Sequence, residues 1–183
     1  MTAVTQVRPE RLARFSRAMA NVTTVGIAVI IVAMILAFIL PDWTRNLVLA
    51  RLGQTGATLP LTVSGRIGGA LVTAVPVGVM VYGLWQARAL FQMFAAGRIF
   101  TEAAARRLQI FAATVLAQAA LGPLSSAGLL LAFSYSNPPG QRLLGFALSI
   151  NDCIALIVGG LLLAIAWVMR EAARIADENA AFV

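Results

Sequence analysis

Four apolar runs constrain this chain more than anything else in it: Asn21–Leu40, Ile67–Ala87, Leu108–Phe133 and Leu143–Met169. A single charge, Asp152, interrupts them. A bilayer core about 30 Å thick needs roughly 20 apolar residues as helix. Each run meets that length, because backbone groups in hydrocarbon must be satisfied within the segment itself. The expected fold class is all-α: a polytopic membrane protein of four transmembrane helices forming one four-helix bundle domain over residues 1–183. The runs leave an outer loop at 41–66, a cytoplasmic loop at 88–107 and a cytoplasmic tail at 170–183. With 11% charged residues against the ~25% usual for soluble domains, and short intervals between runs, a second, soluble domain is not expected.

Every basic residue is an arginine, fourteen in all, and the net charge is +7. Nucleic-acid binding would gather these cations on one soluble face. Here they flank the apolar runs instead, so no direct nucleic-acid partner is expected. Arg8, Arg11, Arg14, Arg17, Arg88, Arg98, Arg106, Arg107, Arg170 and Arg174 fall on one side, and Arg45, Arg51, Arg66 and Arg142 on the other. The positive-inside rule then puts both termini in the cytoplasm. Trp43, Trp85 and Trp167 stand near run ends, where indoles favour the headgroup level. The first run is longer than a signal-peptide core of about 7–15 residues and ends in Phe38-Ile39-Leu40-Pro41, so it reads as an uncleaved span. The expected location is the cytoplasmic (inner) membrane of a bacterium, an assignment for which lysine-free, alanine-rich codon usage is the only sequence hint.

The chain has no histidine and one cysteine, Cys153. A Ser-His-Asp or Cys-His relay needs histidine, and zinc or iron sites draw on histidine or several cysteines. No metal, no cofactor and no enzymatic activity are expected, and no pair of acids stands at catalytic spacing.

Asp152 is the residue most open to a chemical role. About ten residues past Arg142, it is expected roughly 15 Å into the bilayer at about 1.5 Å per residue. A charge at that depth costs at least about 2.5–3.5 kcal/mol unless it is paired, buried or protonated. Pro76 and Pro123 are expected at similar depth, each kinking its helix and freeing the carbonyl four residues earlier. Thr73, Gln118, Ser125, Ser126 and Asn151 are the nearby polar side chains. Together these residues predict an intramembrane polar pocket around Asp152, lined by the second, third and fourth spans. It is either a proton-linked or small-ligand site, or a hydrogen-bonded plug. Ala155 and Gly159 form a small-xxx-small pair suited to close helix packing, inside the bundle or across a homodimer.

The intervals on the arginine-rich side carry local signals. Arg88–Ala96 continues the second helix, Gly97 offers its stop, and Thr101-Glu102 suits the start of the third. Phe91, Phe94 and Phe100 interleave with Arg88 and Arg98, a pattern of a membrane-surface segment. Ser134–Gly140 has turn composition.

The segment Phe94-Ala-Ala-Gly-Arg-Ile-Phe-Thr-Glu-Ala-Ala-Ala-Arg-Arg-Leu108 resembles the inner-loop motif of an uncharacterised bacterial four-helix membrane family known only as a domain of unknown function. The ending Asp177-Glu-Asn-Ala-Ala-Phe-Val183 is similar to that family's acidic C-terminus. The resemblance covers all four spans. Members are often encoded beside a Cro-like helix-turn-helix regulator. The resemblance therefore implies a regulatory or interaction protein with a cytoplasmic helix-turn-helix partner. Arg98, Arg106, Arg107, Asp177 and Glu178 are the candidate contacts. A small proton- or cation-coupled transporter component using Asp152 is the alternative.

Overall fold

The computed structural model describes residues 9–57, 59–135, 137, 145–146 and 148–180. The chain is helical throughout its ordered elements: α1 (Pro9–Ile39), α2 (Pro41–Leu52), α3 (Gln54–Ala57), α4 (Val63–Ala95), α5 (Glu102–Ser134) and α6 (Ile150–Ala180). Among the described residues α1, α4, α5 and α6 are long and apolar enough to cross a membrane. They overrun the apolar runs at the arginine-rich end. At about 1.5 Å per residue, the 33 residues of α4 reach about 50 Å, well past a ~30 Å hydrocarbon core.

The four long helices stand in a row, each packed on its chain neighbour: α1 on α4, α4 on α5, α5 on α6. Among the described residues α6 makes no substantial contact with α1 or α4. Small residues set the close approaches. A Cβ on Gly159 would lie 2.7 Å from the Leu116 backbone nitrogen, and one on Gly83 would strike Thr114. Buried positions on α6 fall at Asp152, Gly159, Ala166 and Ala173, a seven-residue stripe facing α5. That repeat is the seam of coiled-coil packing, and it uses the Ala155–Gly159 face within the chain. Ile154, Ile157, Leu161, Ile165 and Val168 are exposed on the other side of α6, where a membrane would supply lipid.

The interval expected as an outer loop contains α2. Pro41 opens it at the first helical positions, where the missing N–H costs nothing. Thr44, Val48 and Leu52 form its buried face. Val48 and Leu52 join Leu59, Leu129, Leu130 and Phe133, tying α2 to the end of α5. The α1–α2 corner is fixed by Thr44, whose Oγ1 donates to the Ala37 carbonyl at 2.7 Å. Beside it, Arg66 donates from Nε to the Phe38 carbonyl at 3.0 Å, and its other guanidinium nitrogen reaches the Phe38 and Ile39 carbonyls. Arg66 thus closes the C-terminal end of α1, where carbonyls lack helical donors.

At the arginine-rich end the local signals hold. Helix α4 runs on to Ala95, and Gly97 takes φ +76°. The Gly97 N–H donates to the Phe94 carbonyl and the Arg98 N–H to Met93, both at 3.0 Å, a complete Schellman motif. Thr101 caps α5 by accepting the Ala104 N–H at 3.2 Å.

One boundary differs. The fourth run was expected to be helical from Leu143, whereas Gly145, Phe146, Leu148 and Ser149 are not helical and α6 starts at Ile150. Apolar character alone does not start a helix, and the capping residue lies further along, at Ser149. The turn expected at 134–140 and the flank Arg142 fall mostly outside the described residues.

Candidate functional site

Asp152 sits in the first turn of α6 and is buried. Its Oδ2 accepts the Ser149 backbone N–H at 2.8 Å, and its own N–H donates to Ser149 Oγ at 3.4 Å. Ser149-Ile-Asn-Asp152 is therefore a capping box, with aspartate in the third-residue position. The carboxylate packs on α5 at Gly122, where a Cβ would fall 1.9 Å from Oδ1. Ser126 turns back on its own helix, donating to the Gly122 carbonyl at 3.1 Å. Asn151 is exposed.

The remaining polar candidates gather elsewhere. Thr73, Pro76, Gln118 and Ser125 line a cavity of about 360 Å³ with Ile30, Leu47, Arg51, Val77, Met80 and Leu129. Gln118 Nε2 donates to the Pro76 carbonyl at 2.9 Å, so the amide meets the proline segment of the neighbouring helix. Pro123 lies in α5, which runs on through it as α4 runs on through Pro76. The cavity adjoins a second, of about 430 Å³, and the two share Ile30, Leu47, Thr73 and Val77. The second is apolar, walled by Ala33, Met34, Ala37, Phe38 and Trp43, with Asn46 at its edge.

The pocket expected around Asp152 is thus divided. Thr73, Gln118 and Ser125 face a cavity framed by α1, α2, α4 and α5, while Asp152 and Ser126 belong to the α5–α6 seam. The reason is the row of helices: among the described residues α6 makes no substantial contact with α4, and Leu47 and Arg51 of α2 line the cavity instead.

At the other end, a groove of about 560 Å³ runs between the first turns of α1 and the α4–α5 connection. Glu10, Leu12, Arg14, Arg17, Phe94 and Ile99 are among its walls. Arg98 and Arg106 are exposed nearby in sequence. Arg107 is committed within the chain, donating to Gln86 Oε1 at 2.8 Å. Arg170 pairs with Glu102 at 3.8 Å, bridging α6 and α5. Arg88 donates to Thr24 Oγ1 at 2.8 Å and lies over the Trp85 ring at 5.4 Å, joining α4 to α1. Phe94 packs against the Leu90–Met93–Leu108 cluster, while Phe100 stays exposed. Glu178 pairs with Arg174 at 3.4 Å. The Asp177 side chain lies outside the described residues.

A family model described as "Protein of unknown function (DUF2975)" matches residues 18–183. The chain belongs to this family. No curated protein and no solved structure matches it.

The DUF2975 match takes in the capping box, both cavities and the α4–α5 connection. Of the groove it leaves out only the walls supplied by the first turns of α1. Among the described residues no group of three His, Cys, Asp or Glu side chains stands close enough to hold a metal ion. Two features of this DUF2975 chain escaped sequence reading. Arg51 counted there only as a flanking charge, yet it lines the polar cavity. The signal was its position four residues after Leu47, on one face of a helix. The Ser149-x-x-Asp152 spacing was the other.

Proposed function

We propose that this protein is a non-enzymatic, multi-pass protein of the bacterial inner membrane that binds a cytoplasmic helix-turn-helix regulator at its arginine-rich end. The observation that carries this reading is the groove beside the α4–α5 connection. It mixes apolar walls (Leu12, Phe94, Ile99) with Arg14 and Arg17. Exposed aromatic and arginine side chains beside a concave apolar patch are the chemistry of protein interfaces. The positive-inside rule puts this end in the cytoplasm, where a soluble regulator is available. The mechanism is sequestration: a regulator held at the membrane is withdrawn from DNA.

Co-purification from native membranes in mild detergent, with mass spectrometry, tests it. A stoichiometric helix-turn-helix protein is expected, and it is expected to be lost when Arg14 and Arg17, on the groove wall, are both changed to Glu. Arg107 is left intact, because its bond to Gln86 makes any change there structural. Recovery of the chain with no such regulator, or undiminished binding by the double variant, overturns the reading.

The transport alternative has weaker support. Asp152 lies outside the polar cavity, and the charged group lining that cavity is Arg51. An arginine in a pore or cavity repels cations, which is the wrong sign for coupling to a proton or metal cation.

A further inference from the structure

The paired cavities under α2 have a polar arm and an apolar arm, and they join at Ile30, Leu47, Thr73 and Val77. The apolar arm, about 430 Å³, falls within the ~300–1,000 Å³ of ligand pockets. It extends along α1 from Phe38 back to Ile30, about 12 Å at about 1.5 Å per residue. Phe38 stands at the helix end that Arg66 closes, so the cavity starts near headgroup level and descends into the bilayer. Ala33 on its wall is exposed, giving a lateral opening toward lipid.

The polar arm carries one cation. Arg51 is exposed and forms no salt bridge or hydrogen bond within the described residues, so its guanidinium is free to meet an anion. The Thr73 hydroxyl is buried and has no hydrogen-bond partner among the described residues, and buried polar groups are nearly always bonded. Gln118 Nε2 has a second N–H beyond the one given to Pro76. Ser125 adds a hydroxyl. One cation and several neutral donors beside an apolar channel call for an anion carrying a hydrocarbon tail.

We propose that this cavity is a binding site for an anionic phospholipid, with one acyl chain in the apolar arm and the phosphodiester on Arg51. The Arg51 guanidinium offers phosphate oxygens a bidentate fork. The site is independent of the regulator groove, which lies at the opposite end of the helices.

Trp43 lines the apolar arm and reports on it. In a Trp85→Phe/Trp167→Phe background, Trp43 fluorescence is measured in nanodiscs holding equal fractions of phosphatidylglycerol or phosphatidylcholine with brominated acyl chains. Phosphatidylglycerol is expected to quench several-fold more strongly. Arg51→Gln is expected to remove that preference, Arg51→Lys to retain most of it, and Ala33→Phe to weaken quenching by both lipids by filling the opening. Millimolar inorganic phosphate is expected to leave the preference intact. Loss of the preference on adding phosphate assigns the site to a free anion and overturns the lipid. Equal quenching by the two lipids, or a preference unchanged in Arg51→Gln, overturns the site. Should Arg51→Gln lose its helical circular dichroism, Ala33→Phe decides: undiminished quenching there also overturns the proposal.

Discussion

Asp152 and Ser149 exchange two hydrogen bonds across the first turn of α6: the Ser149 N–H donates to the Asp152 carboxyl at 2.8 Å, and the Asp152 N–H donates to the Ser149 hydroxyl at 3.4 Å. An acid inside an apolar run invites a proton-transfer role. Here a carboxyl oxygen satisfies an N–H that would otherwise have no helical acceptor, at the helix end whose dipole favours an acidic side chain. Where helix α6 begins accounts for the residue.

Asp152→Asn is therefore expected to be nearly neutral, because the amide oxygen still accepts the Ser149 N–H. Ser149→Ala and Asp152→Ala are each expected to cost about 0.5–2 kcal/mol, the range for losing a helix cap. Unfolding in mixed detergent micelles checks all three. A loss in Asp152→Asn as large as in Asp152→Ala would mean the charge itself is needed.

Two polar contacts between helices are expected to differ in weight. Arg66 bonds the α1 terminus with a charged donor, and hydrogen bonds to charged groups contribute about 1.5–3 kcal/mol. Gln118 makes one neutral bond to Pro76, and such bonds between membrane helices average about 0.6 kcal/mol. Arg66→Ala is expected to destabilise clearly more than Gln118→Leu in the same unfolding assay. The reverse order would show that Gln118 holds the α4–α5 pair together.

Arg107 and Gln86 join α5 to α4 at the arginine-rich end, and Gln86 is buried. Arg107→Ala leaves that amide oxygen without its charged donor, at a cost of about 1–3 kcal/mol. Arg106→Ala, one position away and exposed, is expected to stay within about 0.5 kcal/mol of the parent. Thermal melts of the two variants in detergent check the contrast.

The spans and the inner connection were legible because they rest on local physics. Apolar length marks a helix that can cross lipid, and Gly97 and Thr101 end and begin helices through their own backbone and side chain. The cavity was less legible because it depends on which helices touch. Nothing in a run of apolar residues says that α6 packs chiefly on α5, so Ser125 and Ser126, adjacent in sequence and about 100° apart on a helix, could not be assigned to different surroundings. Helix α2 was missed for another reason. Its twelve residues have little net hydropathy, and its Thr44–Val48–Leu52 stripe matters only once the end of α5 is there to receive it. The order of the row was written more faintly, in the seven-residue repeat of Asp152, Gly159, Ala166 and Ala173.

That repeat yields the sharpest contrast in the molecule, between neighbouring glycines. Gly159 lies in the seam, where a Cβ would come within 2.7 Å of the Leu116 nitrogen and 2.8 Å of its Cα. The obstacle is backbone, so α6 must move away from α5 to admit even a methyl group. Gly160 points the other way, with nothing within 4 Å of its would-be Cβ. Gly160→Ala is expected to stabilise by up to about 1 kcal/mol, the helix-propensity gain of alanine over glycine. Gly159→Ala is expected to lose more than that gain, and Gly159→Leu to separate the helices. Disulfide trapping between one cysteine on α5 and one facing it on α6, in a Cys153→Ala chain, reads the separation directly. Trapping is expected to persist with Gly160→Ala and to fall with Gly159→Leu. Equal trapping in both would mean that α6 is held against α5 by something other than this seam.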